Sequence, residues 1–217
     1  MKQQLFLSVI ACSLSNFCSG ALIISQYVET DSGSTPKGIE LFNTGSSTID
    51  FSSTALTVLK GTNGAALSTD FTLSSGSLAA GEVLVIGTSD IGDYLDATFG
   101  VGVIQFHDES FTFNGDDALQ IQLDGNVEDT FGVPGSDPGA AWVGVNVETR
   151  NSNIALKDGI TTGDVDGFTD PDERFVVVST TPSATGGLEG FGVAPIPEPS
   201  AALLGGLGLL TLLRRRR

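Results

Sequence analysis

The apolar positions of this chain come in short runs broken by turn residues, not at helical spacing. The first run, 22–29, is β-branched and aromatic, and Asp31-Ser32-Gly33-Ser34-Thr35-Pro36 ends it. Runs of that composition bounded by Gly, Pro, Asp and Ser read as strands. The second, 38–43, closes at Asn43-Thr44-Gly45, which predicts an antiparallel pair with the first. Further strands are predicted over 48–51, 55–60, 69–73, 83–87, 102–106, 118–123, 126–131, 141–147 and 175–179. Gly61-Thr62-Asn63-Gly64, Ala80-Gly81, Asn114-Gly115 and Asp124-Gly125-Asn126 supply turns between them. Many short strands without a sustained helical period predict an all-β, antiparallel sandwich.

The two ends break this pattern. Lys2 precedes an uncharged, mostly apolar stretch over 5–17, and Cys18-Ser19-Gly20 places small residues before Ala21. That order predicts a secretory signal peptide over 1–20. At the other end Pro197-Glu198-Pro199 leads through Ser200 into the uncharged stretch 201–213 and then Arg214, Arg215, Arg216 and Arg217. The prolines lack amide donors and stop a strand, and the apolar stretch can enter a bilayer as a helix with the arginines on the cytoplasmic side. Thirteen residues make a helix about 20 Å long against a hydrocarbon core of about 30 Å, short for a permanent anchor. The expected organisation is a signal peptide over 1–20, a β-domain over 21–190, a linker over 191–196 and a C-terminal signal over 197–217.

Composition narrows the chemistry. Both cysteines, Cys12 and Cys18, lie in the signal stretch, so the remainder has no disulfide and no thiolate metal site. Between Ala21 and Ile196 only Lys37, Lys60, Arg150, Lys157 and Arg174 are basic, against twenty-five acids, a formal −20. Such a surface repels phosphate backbones, which excludes nucleic acid as an expected partner and makes divalent cations plausible ones. His107 is the sole histidine, which argues against zinc and against a Ser-His-Asp triad. No G-x-S-x-G, H-E-x-x-H or P-loop occurs. Trp142 is expected in the core rather than as a sugar-stacking platform, and Arg150 and Arg174 are candidates to pair with buried carboxylates.

Two acidic clusters remain. Asp116-Asp117 beside Asp129 offers carboxylates for acid–base work, but adjacent strand residues point to opposite faces, so only one of the pair can join Asp129. The structural reading is a turn over Asn114-Gly115-Asp116 with Asp117 accepting from nearby amides. The second cluster is the loop 163–173, where Asp164, Asp166, Asp170 and Asp172 surround Gly167. Alternate aspartates around a glycine are what calcium needs, since it takes six to eight oxygen ligands from a sharply turning loop. The loop is not an EF-hand, and its other reading is a solvated acidic turn closed by Pro171.

Two resemblances give these features a context. The order Pro197-Glu198-Pro199, short apolar helix, Arg214 to Arg217 resembles the sorting signal of PEP-CTERM proteins. That resemblance implies export across the inner membrane, a transient membrane stay through 201–213, and removal of the tail by an exosortase-type processing enzyme. Three internal stretches resemble a lamin-tail domain: 38–43 with 49–51, the glycine turn and strand over 79–86, and the hairpin over 113–132 with aspartates flanking its turns. This implies an immunoglobulin-like sandwich, from which the chain departs by an insertion over 90–110 and by Phe175 where that family often has tryptophan. The combination implies an exported cell-surface or extracellular-matrix protein, structural or adhesive, non-enzymatic, acting among exopolysaccharide or biofilm polymers. The alternatives are a secreted metal-dependent hydrolase, since lamin-tail modules accompany nucleases, and a polysaccharide-binding module.

Overall fold

The computed structural model describes residues 21–30 and 35–195. Twelve strands and one α-helix make it a predominantly β structure with sandwich character. The larger sheet has six strands: β1 (Leu22–Val28), β2 (Gly38–Asn43), β7 (Val83–Gly87), β8 (Gln105–Asp108), β11 (Asn153–Leu156) and β12 (Phe175–Ser179), in the order β12-β11-β1-β2-β7-β8. Facing it is a four-stranded sheet of β4 (Leu56–Gly61), β5 (Ser68–Leu73), β9 (Ala118–Leu123) and β10 (Asn126–Phe131), ordered β10-β9-β4-β5. Two short strands, β3 (Ile49–Asp50) and β6 (Ser77–Leu78), pair separately. All pairings are antiparallel except β7 with β8, which the helix α1 (Ser89–Phe99) connects; a parallel pair requires such a crossover.

The two sheets differ in sequence because they differ in burial. In β9, Leu119, Ile121 and Leu123 are buried while Gln120 and Gln122 are half-exposed, the alternation of a sheet with one wet face. Asp124 and Gly125 both take positive φ between paired Leu123 and Asn126, the two-residue turn that matches strand twist. By contrast β1, β2 and β7 are buried at every position. One face of these strands meets the four-stranded sheet through an aromatic column. Tyr27 stacks on Phe131 at 4.3 Å, and Phe131 meets Phe168 at 4.9 Å and Phe175 at 5.6 Å. Val28 and Val85 form a second cluster with Ile91 and Leu95 of α1 and with Leu188 and Phe191 from the C-terminal segment.

Several sequence expectations change here. The stretch 141–147 forms no strand; a single bridge joins Val143 to Glu148, because its amides go to a tight turn at Gly144–Val147, to Gly115 and Thr149, and to the Asp172 carboxylate in place of a ladder. The strand expected at 102–106 is displaced to Gln105–Asp108, since α1 and a turn occupy the residues before it. That helix lies inside the 90–110 insertion, where only Ile91 and Leu95 are buried, too few to announce a period. Strands β6 and β11 were not anticipated. Packing also runs past residue 190, with Phe191 fully buried. The expected signal peptide over 1–20, Pro197, Glu198, Pro199, the apolar stretch 201–213 and Arg214, Arg215, Arg216 and Arg217 lie outside the described residues. Among the described residues no helix is long and apolar enough to cross a membrane.

Candidate functional site

The buried carboxylates are the natural place to look for chemistry, and Asp117 and Asp129 are both committed to backbone amides. Asp117 accepts from the Asn63 N–H through Oδ1 and from the Asn114 N–H through Oδ2, both at 2.9 Å. Its own N–H donates to the Asn114 carbonyl at 3.0 Å, closing the turn read from the sequence. Burial raises its pKa, with the two amide donors acting in the opposite sense.

Asp129 stands at a separate junction. It accepts from the Ile24 N–H at 2.8 Å, from the Asp164 N–H at 2.7 Å, and from the Arg174 guanidinium at 3.2 and 3.4 Å. One carboxylate therefore ties β1, the 163–167 loop and the start of β12 to β10. Burial outweighs Arg174 and the amides, so the carboxyl is pushed up to about 6. Asp117 and Asp129 share no hydrogen-bond partner, and the arrangement is not that of two carboxylates dividing one proton. Arg174 thus pairs with a buried carboxylate, whereas Arg150 pairs with Glu148 at 2.9 Å on the surface, a contact of about 1 kcal/mol at most.

The aspartates of the acidic loop serve two different elements. Asp164 Oδ1 accepts from the Asp166 and Gly167 N–H groups at 3.1 Å, which rounds the turn. This turn lies along β10: the Thr130 N–H donates to the Asp164 carbonyl at 2.8 Å and the Thr130 hydroxyl to the Val165 carbonyl at 3.0 Å. Two glycines permit that approach, since a Cβ at Gly163 or Gly167 would sit 1.9 Å from the Glu128 or Gly132 carbonyl oxygen. Asp166 is exposed. Asp170 caps a short 3₁₀ turn over Pro171–Glu173 by accepting from the Asp172 N–H. Asp172 accepts from the Asn146 N–H at 2.6 Å, which holds its carboxyl below the ordinary range, and both Asp170 and Asp172 close over Gly144. Asp164, Asp166, Asp170 and Asp172 are thereby drawn to different tasks. Among the described residues no group of three or more His, Cys, Asp and Glu side chains is placed to hold a metal ion.

The segment that Asp172 holds forms one wall of an open groove of about 470 Å³, lined by Val143, Val145, Glu148, Arg150, Val177 and Thr180. Val145 is 90% exposed and no aromatic ring lines the groove. Trp142 is buried, its Nε1–H directed at the Asp117 carbonyl at 3.4 Å and its indole against Gly132, so it offers no stacking surface. His107 is half-buried with its ring 5.9 Å from Phe71, and burial lowers its pKa.

Among the buried ionisable residues not singled out by the sequence are Lys37 and Glu40. Lys37 is 2% exposed and donates to Glu29 at 3.1 Å, the Phe113 carbonyl at 2.8 Å, Asn114 Oδ1 at 3.3 Å and the Thr30 carbonyl. Glu40, 1% exposed, accepts from the Ser25 hydroxyl at 2.7 Å and the Gly192 N–H at 2.6 Å. The available signal was a lone charge beside or within an otherwise apolar strand, Lys37 before Gly38 and Glu40 between Ile39 and Leu41. No family model matches the chain, and no curated protein matches it.

Proposed function

We propose that this chain is an exported, non-enzymatic module of the cell surface or extracellular matrix, structural or adhesive in its role. In this reading the domain is an immunoglobulin-like sandwich of the lamin-tail type, delivered by a signal peptide over 1–20 and a PEP-CTERM signal over 197–217. The tail would cross the inner membrane transiently and be removed by an exosortase-type enzyme. The observation that carries the reading is the use made of the polar residues. Asp117, Asp129 and Asp172 each accept from amides of distant parts of the chain, which is how a frame is riveted, while Asp170 caps the turn next to it. A −20 balance over 21–196 leaves an acidic exterior suited to cation-bridged contact with exopolysaccharide and unsuited to nucleic acid.

The test is the intact mass and C-terminal peptide of the protein recovered from its native host, in membrane and extracellular fractions separately. A product ending near Pro197-Glu198-Pro199 and found outside the cell is the expected result. A product retaining Arg214 to Arg217 in the membrane would overturn the sorted-matrix reading and make the domain a tethered one.

A further inference from the structure

We infer that the segment 187–194 is a releasable latch on the larger sheet, and that ionisation of Glu40 opens it. The latch is built from few contacts. Leu188 and Phe191 are buried against Val28, Val85, Ile91 and Leu95. The Gln26 side-chain amide donates to the Glu189 carbonyl at 2.7 Å, and Asn153 Nδ2 donates to the Gly187 carbonyl at 2.9 Å and the Glu189 carbonyl at 3.2 Å. Glu40 supplies the last hold, through the Gly192 N–H. Gly192 takes φ +83, and a Cβ there would lie 2.7 Å from the Phe99 ring and 3.0 Å from Leu95, so the chain reaches Glu40 at this point only because it has no side chain.

Glu40 is an unusual group to place under such a segment. Both its oxygens take neutral donors, and no Lys or Arg among the described residues pairs with it. The neighbouring elements carry no basic group that could serve. β1 has Tyr27, followed by Glu29, which is engaged by Lys37; α1 has Asp90, Asp93, Tyr94 and Asp96; β8 has His107 and Asp108; Asp158 follows β11, and Glu189 lies in the segment itself. β7 and β11 have no titratable residue, and Lys157, which directly follows β11, has its ammonium on the Asp172 carbonyl. A buried carboxylate without a cation is stable as the neutral acid, and charging it carries a desolvation cost that a single amide does not offset. Burial accordingly pushes Glu40 up to about 8.

Opening the segment returns Glu40 to water and to the ordinary carboxylate range, so it ionises more readily open than closed. The open form binds fewer protons, and the latch weakens as pH rises between the two pKa values. Below the ordinary carboxylate range both forms are protonated and the latch is at full strength.

Hydrogen exchange of 187–194 in the full chain, corrected for intrinsic rates and referred to amides of β2 and β7, tests this from about pH 5 to about pH 8.5. The expected result is a loss of protection of about tenfold per pH unit up to about pH 8. In Glu40→Gln, which keeps an acceptor for Gly192 and a polar partner for Ser25, protection should be independent of pH. Flat protection in the unsubstituted chain, or the same slope in Glu40→Gln, overturns the inference. Should the variant fail to fold, the ¹³C titration of the Glu40 carboxyl in the unsubstituted chain decides. A midpoint near 4 to 5 overturns the inference, and one near 8 supports it.

Discussion

At the scale of single residues, Asp129 carries more of the architecture than any other acid, because its two oxygens receive four hydrogen bonds from three separate segments. Asp129→Asn keeps the size but turns one acceptor into a donor facing Ile24, Asp164 or Arg174, and it leaves a buried guanidinium without its counter-charge. The lost acceptor in a buried network should cost about 1–3 kcal/mol, read as a lower urea midpoint in mild acid. The pH dependence has a definite sign. The folded carboxyl, at about 6, lies above its ordinary value of 3.8, so Asp129 favours the folded state below about pH 4 and loses that contribution as pH rises through about 6. The difference between the unsubstituted chain and Asp129→Asn should therefore shrink from acid to neutral pH and then stay constant. A difference that grows over this interval would show that Arg174, not burial, dominates the site. Gly132 provides a second case: at φ +67, with its missing Cβ 2.5 Å from Trp142 Nε1, Gly132→Ala should cost about 1–3 kcal/mol by overpacking and shift the emission of the single tryptophan.

Elements show how much of this was legible beforehand. β9 and β10 could be read to the residue because Asp124-Gly125 sets the hairpin and alternation sets the faces. β7 is readable as a continuous apolar run and β2 as a partly alternating one closed by Asn43-Thr44-Gly45. α1 was not, because it buries only Ile91 and Leu95, and β11 was hidden because Asn153 opens it with a side chain serving the C-terminal segment. The 163–167 loop is the instructive case. Its aspartates fit either calcium ligands or an acidic turn by spacing alone, and in the fold Gly163 and Gly167 permit backbone contact with β10 while Asp164 closes the turn. Residue types at a given spacing cannot distinguish oxygens aimed at a cation from oxygens aimed at amides, since that depends on which strand edge lies alongside. Gly167→Ala separates the two uses. With φ +74 and a Cβ 1.9 Å from the Gly132 carbonyl, it should lift the loop from β10, costing at least about 2 kcal/mol, and the Thr130 amide should exchange faster than those of β9.

For the whole molecule, these local arrangements bear on whether cations stiffen the domain itself or only bridge it to something else. Its acids fall into two populations, buried ones held by amides, a hydroxyl, Lys37 or Arg174 and exposed ones dispersed over a surface with few basic residues. A bound ion stabilises a fold by mass action only where the folded state presents a site that the unfolded chain lacks. Asp164, Asp166, Asp170 and Asp172 answer to β10 and to the 143–148 segment separately, so binding one ion through all four would require giving up the Asn146 and Gly167 hydrogen bonds. The melting temperature should therefore be the same in chelator and in millimolar calcium, apart from a small rise that millimolar magnesium reproduces through general screening of like charges. A calcium-specific rise of several degrees, abolished by Asp164→Asn or Asp172→Asn, would show that the loop rearranges around an ion and would restore the sequence expectation. If cations instead act between molecules, calcium should leave the melting temperature unchanged while increasing the retention of the domain on an acidic polysaccharide matrix. That retention should be lost in chelator and unaffected by either substitution, because it draws on the dispersed surface charge and not on the loop.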